Sequence, residues 1–203
     1  MTDPRTELVG RGYDAMVDTW EAWAAQIGDD PRHEWAADLA ARLPEGARVL
    51  ELGCGGGMAE TKELAERFRL TGVDLSERQL ERARRRVPNA HFVRGDLTAM
   101  DFPPAAFEAV VSFYALIHVP LPDQQALFPR IRSWLRPGGY LLAIVGSRRW
   151  TGTEHYLGAD MFWDHADTDT YLHWLTTANL SPRWHRFIPE GDSGHSLILA
   201  QAS

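Results

Sequence analysis

The chain has 203 residues, 44% of them hydrophobic, and a formal net charge of −7 at pH 7. That length suits one domain burying roughly 70% of its unfolded surface, and the acidic balance argues against nucleic-acid backbone binding. One cysteine, Cys54, excludes an intrachain disulfide. With no apolar run near the ~18 residues of a membrane span and no apolar signal core, a cytoplasmic protein is expected.

The chain opens with helical sequence, in which Tyr13, Met16, Val17, Trp20 and Ala24 form one apolar stripe. Asp30-Pro31 reads as a cap followed by proline at the first helical position. The next helix carries Trp35, Leu39 and Leu43 and stops at Pro44-Glu45-Gly46. Both helices precede a nucleotide-binding pattern, so they either pack against it or cover it.

That pattern begins at residues 48–57, Arg-Val-Leu-Glu-Leu-Gly-Cys-Gly-Gly-Gly. Val49, Leu50 and Leu52 read as a buried strand, and a helix follows from Met58 to Phe68. A strand, a Gly-rich turn and a helix open a βαβ unit. Lacking Cβ atoms, Gly53, Gly55 and Gly57 permit positive φ and close approach to a ligand. Arg69 to Asp74 reads as the second strand, with Asp74 where a doubly wound sheet places a ribose-binding acid. Ser76 and Gln79 form a capping box, which leaves Asp74 to a ligand. The following helix buries Leu80, Ala83 and Val87, exposes the basic run Arg82–Arg86 to solvent, and stops at Pro88-Asn89. His91-Phe92-Val93 reads as the third strand, followed by Asp96.

Phe107 to Tyr114 is a fourth strand, buried on both faces, and His118 follows it at the carboxyl edge of the sheet. An unperturbed imidazole there, near pKa 6.5, suits a general base; a structural histidine bonding loop carbonyls is the other reading. Ile131, Trp134 and Leu135 stripe the next helix, whose start is placed near Phe128 because Pro129 conflicts with a helix interior. Pro137-Gly138 stops it, and Tyr140 to Val145 is the fifth strand. Gly146 to His165 reads as a long aromatic-rich loop, of the kind that carries function. Asp167 or Thr168 caps a helix with Tyr171, Leu172 and Leu175 facing inward, ended by Asn179. Trp184 to Ile188 and Ser196 to Ala200, joined by residues 190–194, read as an antiparallel hairpin. His155, Asp160, Asp164, His165, Asp167 and Asp169 lack an i, i+4 histidine pairing, so no metal is expected.

As a set, Glu51-Leu52-Gly53-Cys54-Gly55-Gly56-Gly57, Asp74 in Thr-Gly-Val-Asp-Leu-Ser, Asp96, and Leu135-Arg136-Pro137-Gly138-Gly139 before the fifth strand resemble the class I S-adenosylmethionine-dependent methyltransferases, small-molecule branch. The resemblance runs from about Val49 to Val145. It implies an α/β fold: a doubly wound, seven-stranded, mostly parallel sheet with a C-terminal antiparallel hairpin and helices on both faces. Residues 1–203 form a single domain, with an N-terminal helical cover (1–46), a cofactor-binding core (47–146) and the aromatic loop, helix and closing hairpin (147–203). The implied activity is transfer of a methyl group from S-adenosylmethionine, by in-line displacement, to oxygen or nitrogen of a small-molecule acceptor. S-adenosylhomocysteine is the product, and neither nucleic acid nor membrane is a partner. The resemblance puts Tyr13, Glu51, Phe113 and Tyr114 at the methionine end of the cofactor. Gly53, Cys54, Gly55 and Gly57 lie along it, Asp74 at the ribose, and Leu75, Asp96 and Leu97 at the adenine. Trp150, Tyr156, Phe162 and Trp163 suggest an apolar or planar acceptor. A nicotinamide-dependent reductase shares the strand, turn and Asp74, but its third glycine falls on Met58. A non-catalytic S-adenosylmethionine-binding protein is the other alternative.

Overall fold

The computed structural model describes residues 3–24 and 32–203. The Asp30-Pro31 cap lies outside the described residues. Helices α1 (Pro4–Ala24) and α2 (Arg32–Ala40) lead into β1 (Arg48–Leu52), α3 (Ala59–Arg67), β2 (Arg69–Asp74), α4 (Glu77–Arg86) and β3 (His91–Arg94). Then come β4 (Phe107–Ser112), a 3-10 turn at Leu116–His118, α5 (Leu121–Trp134) and β5 (Leu135–Gly146). The chain closes with β6 (Trp150–Tyr156), β7 (Ala159–His165), α6 (Thr168–Thr177), β8 (Leu180–Glu190) and β9 (Ser193–Ala202).

Seven strands form one sheet in the order β3-β2-β1-β4-β5-β9-β8. The pairs among β1 to β5 are parallel, and β9 runs antiparallel to both β5 and β8. The expected seven-stranded, doubly wound sheet with its closing hairpin is the observed one. Consecutive residues of the parallel strands point to opposite faces, and both faces are covered, so apolar residues fill the strand interiors on both sides. Leu50, Leu52 and Val110 pack with α5 and α6 on one side, and Val49, Val111 and Leu142 with α2, α3 and α4 on the other. The order reverses between β1 and β4, and a crevice at their carboxyl ends is where such a sheet binds ligands.

The sequence expectations need correction in three places. Residues 146–165 are not a loop: β6 and β7 pair antiparallel as a separate two-stranded sheet, from Trp150↔His165 to Tyr156↔Ala159. Its turn is Leu157-Gly158, both at positive φ (49° and 92°). A leucine is rarely held there, so the usual hairpin signal is missing. Helix α5 starts at Leu121 rather than near Phe128 and carries Pro129 inside it. The forfeited hydrogen bond is offset by burial of Leu127, Phe128, Ile131 and Trp134. The basic run on α4 is not merely solvated either. Arg82 pairs with Asp18 and Glu21, and Arg86 with Glu21 at 2.7 Å, which docks α1 onto α4.

Candidate active site

The glycine turn after β1 holds φ values of +75°, +51° and +68° at Gly53, Gly55 and Gly57, a region side chains with a Cβ rarely adopt. Their surroundings differ. A Cβ on Gly53 would lie 2.1 Å from that of Ala115, and one on Gly57 2.9 Å from the Ala83 Cα, whereas one on Gly55 meets nothing within 4 Å. Gly53 and Gly57 therefore let elements touch, and Gly55 faces open space. Cys54 departs from expectation: its side chain is buried against Gly72, where burial pushes the thiol well up, so only its backbone is near the crevice. That backbone N–H donates to the Val73 carbonyl at 3.1 Å, beside the Gly53 N–H at 2.8 Å.

Three acids stand at successive strand ends. Asp74 is not left free by the cap beyond it. Its carboxylate accepts from the Gly55 N–H (2.8 Å) and the Ser76 N–H (2.9 Å), and Ser76 Oγ accepts from the Gln79 N–H (3.1 Å). The Ser76 half of the capping box forms, and Asp74 takes the N–H that Gln79 was to serve. Burial raises the pKa of Asp74 against these bonds, and each oxygen keeps acceptor capacity. Glu51 is 2% exposed; Oε1 accepts from Thr61 at 3.0 Å, and Oε2 has no partner among the described residues. Burial, with Glu60 nearby, pushes its pKa up to about 8. Asp96 accepts from the Thr98 N–H and hydroxyl (2.8 and 2.7 Å). With Leu75, Gly95 and α1 residues such as Gly10 and Asp14, it lines a cleft of about 430 Å³. Leu97 and Phe113 point into the core and Leu75 into the cleft.

Helix α1 and the β6–β7 hairpin close over this edge and meet at His118. The His118 ring is buried between them, with Nδ1 2.7 Å from the Phe162 carbonyl and Nε2 2.9 Å from the Tyr13 hydroxyl. A carbonyl only accepts, so Nδ1 carries the proton and Nε2 accepts from Tyr13. Burial pushes the imidazole down to about 4 and raises the Tyr13 hydroxyl, beside Asp74. The expected unperturbed imidazole is thus corrected: both nitrogens are bonded, one of them to a carbonyl of strand β7.

The hairpin sorts the four aromatics onto two faces. Residues opposed across an antiparallel pair share a face, so Trp150, Tyr156 and Trp163 stand with His165 on one side. Phe162 points to the other face, is 5% exposed and lies under Arg5 at 5.4 Å; it clusters with Val9, Met16 and Met161, and Tyr156 and Trp163 pack against the same cluster. Tyr114, at φ +63°, turns its hydroxyl to Glu190 at 2.7 Å rather than packing wholly inward. Sequence reasoning missed Gln124, Glu190 and the role of Asp164, which it weighed only as a metal ligand. Asp164 accepts from the Leu121 N–H (2.9 Å) and Thr151, and Gln124 from the Tyr171 hydroxyl (2.6 Å), pinning the hairpin base to α5 and α6. No local pattern could have paired residues so far apart. Among the scattered His and Asp residues, His155 pairs with Asp160 (3.0 Å) and Asp167 caps α6.

A glycine turn and strand-end acids on this sheet order define a nucleoside-binding, Rossmann-like domain. Residues 49–139 match a family described as a methyltransferase domain, and the chain is similar to curated methyltransferases. Trans-aconitate 2-methyltransferase of Variovorax paradoxus is 38% identical over 149 residues, covering 71% of this chain and 56% of that enzyme. The chain spans about half the length of the curated relatives it matches. In fold it is similar to Burkholderia thailandensis 1,6-didemethyltoxoflavin-N1-methyltransferase, at 19% identity and a TM-score of 0.75, covering 100% of this chain and 92% of that one. The 4+2 cyclase SpnF aligns at 18% identity and a TM-score of 0.78, covering 100% and 98%.

Proposed function

We propose that this chain, as one domain over residues 1–203, transfers a methyl group from S-adenosylmethionine to oxygen or nitrogen of a small-molecule acceptor, in the cytoplasm. The observation that carries the reading is Glu51 Oε2, buried near the end of β1 just before the glycine turn and without a partner among the described residues. Burial holds this carboxyl protonated at neutral pH, and the ammonium at the methionine end of this cofactor is the partner that would ionise it and satisfy the open oxygen. Asp74 would use its remaining acceptor capacity on ribose hydroxyls. Leu75 and Asp96 offer the adenine an apolar face and an acceptor in one cleft. When bound, the cofactor supplies a methyl group on a sulfonium, open to in-line displacement.

The chain's own contribution is then to hold the acceptor in line and exclude water. Tyr13 reaches over the edge from α1, and His118 orients its hydroxyl. An imidazole pushed down to about 4 is a weak base at neutral pH, so an acceptor that already offers a lone pair fits best. His118 serves a proton only through Tyr13. Trp150, Tyr156 and Trp163 form the acceptor wall. The relatives' names span trans-aconitate and a rifamycin, so they leave the acceptor class open.

The test is S-adenosylhomocysteine formation, read by mass spectrometry against a panel of phenols, amines, heterocycles and carboxylates including trans-aconitate. Stoichiometric product with at least one acceptor class is expected. Cofactor binding with no turnover on any class would favour a non-catalytic binding protein.

A further inference from the structure

The aromatic residues at the carboxyl edge form a continuous circuit. His118 lies 5.3 Å from Trp163, Trp163 6.2 Å from Trp150, and Trp150 6.1 Å from His165. His165 lies 6.1 Å from His195, and His195 5.2 Å from Tyr114. Tyr114 and His118 leave the same loop after β4, so the circuit returns to its start. Trp150, Trp163, His195 and Tyr114 are only partly buried, leaving ring surface open. Tyr114 reaches its place at φ +63°, an outlier for an aromatic residue of the kind that gathers at functional sites.

One carboxylate stands on this circuit. Glu190, at the end of β8, accepts from the Tyr114 hydroxyl at 2.7 Å, and His195 Nδ1 lies 3.2 Å from the same oxygen. Its second oxygen, Oε2, takes part in neither contact. Burial works to raise its pKa, but the contact with His195 and the bond from Tyr114 outweigh it and keep the group ionised. His118 and His165 have theirs lowered by burial and stay neutral. Aromatic faces around an ionised carboxylate attract a cation and repel an anion.

We propose that Glu190 selects the acceptor: a small molecule carrying a cationic nitrogen, held against Glu190 among the rings of Tyr114, His195 and Trp163. Glu190 binds and does not transfer a proton. The proposal rests on the methyltransferase reading, since it concerns that reading's acceptor site.

The experiment uses the full chain saturated with S-adenosylhomocysteine, titrated with phenethylamine and with 3-phenylpropionate, which differ chiefly in charge. The amine should bind at least tenfold more tightly, and Glu190→Gln should abolish the preference while leaving S-adenosylhomocysteine affinity within twofold. Trp150→Leu should weaken the amine without reversing the preference. Equal or tighter binding of the carboxylate, no binding of either probe at millimolar concentration, or an unchanged preference in Glu190→Gln would each overturn the proposal. Failure of S-adenosylhomocysteine itself to bind would instead sink the methyltransferase reading.

Discussion

Gly55 and Gly57 sit two residues apart at similar positive φ, yet substitution should affect them differently. The Cβ of Gly55→Val meets no protein atom within 4 Å, so its main cost is the backbone strain of a β-branched residue at φ +51°, about 1–2 kcal/mol. It should abolish cofactor binding in calorimetry while the protein stays folded. Gly57→Ala drives a Cβ to 2.9 Å from the Ala83 Cα and should cost more stability. If both variants unfold alike, Gly55 is a packing residue too. Asp74→Ala removes the acceptor for the turn N–H groups as well as for the ribose. Two hydrogen bonds of about 1.5–3 kcal/mol each predict at least a tenfold loss of cofactor affinity. An unchanged dissociation constant would place the ribose elsewhere. Two buried groups set opposing pH dependences. Glu51, raised by burial to about 8 from the ordinary 4.5, keeps its proton in the folded state longer than in the unfolded one. Stability therefore falls as pH rises through that window. His118, lowered to about 4 from 6.5, does the reverse: stability rises between those values. Above pH 6.5 only the Glu51 effect remains, so Glu51→Gln should flatten the fall in melting temperature between pH 6.5 and 8. An unaltered slope would mean that Glu51 is not the titrating group.

At the scale of elements, the β6–β7 hairpin separates what was legible from what was not. Buried strands, glycine punctuation and acids at strand ends follow from local pattern, so β1 to β4, β5 from Tyr140 onward and the β8–β9 hairpin could be read directly, whereas the start of β5 at Leu135 reads as helix. The β6–β7 pair could not, because Leu157 occupies a turn position that favours asparagine or glycine. Pro129 misled for a related reason: tertiary burial of α5 outweighs a local rule. The glycines and acids of the site were visible, but the Tyr13–His118–Phe162 junction joins residues 44 and 105 positions apart and exists only once α1 and β7 have docked. The two hairpin faces yield a prediction. Trp163→Ala should raise the acceptor's Michaelis constant with cofactor affinity nearly unchanged. Phe162→Ala empties a buried site under α1 and should cost about 3–5 kcal/mol of stability. Equal destabilisation by both would make Trp163 part of the core.

At the scale of the molecule, α1 and the hairpin pack on each other at the carboxyl edge of the sheet and share one buried imidazole. His118→Ala would strand the Phe162 carbonyl and the Tyr13 hydroxyl, loosening both elements at once. If His118 positions Tyr13 and no more, the wild-type pH–rate profile should be level from about pH 5.5 to 8, with no limb near the ordinary imidazole pKa. A limb near 6.5 that vanishes in His118→Ala would restore the histidine as a free base. The claim beneath all of this is that the crevice at β1, β2 and β4 takes S-adenosylmethionine rather than a dinucleotide. Isothermal titration of the chain with S-adenosylmethionine and, in parallel, with NADPH tests it most directly. One-to-one binding of S-adenosylmethionine, weakened at least tenfold by Asp74→Ala, with no heat from NADPH, is the predicted result; binding of NADPH alone would contradict it.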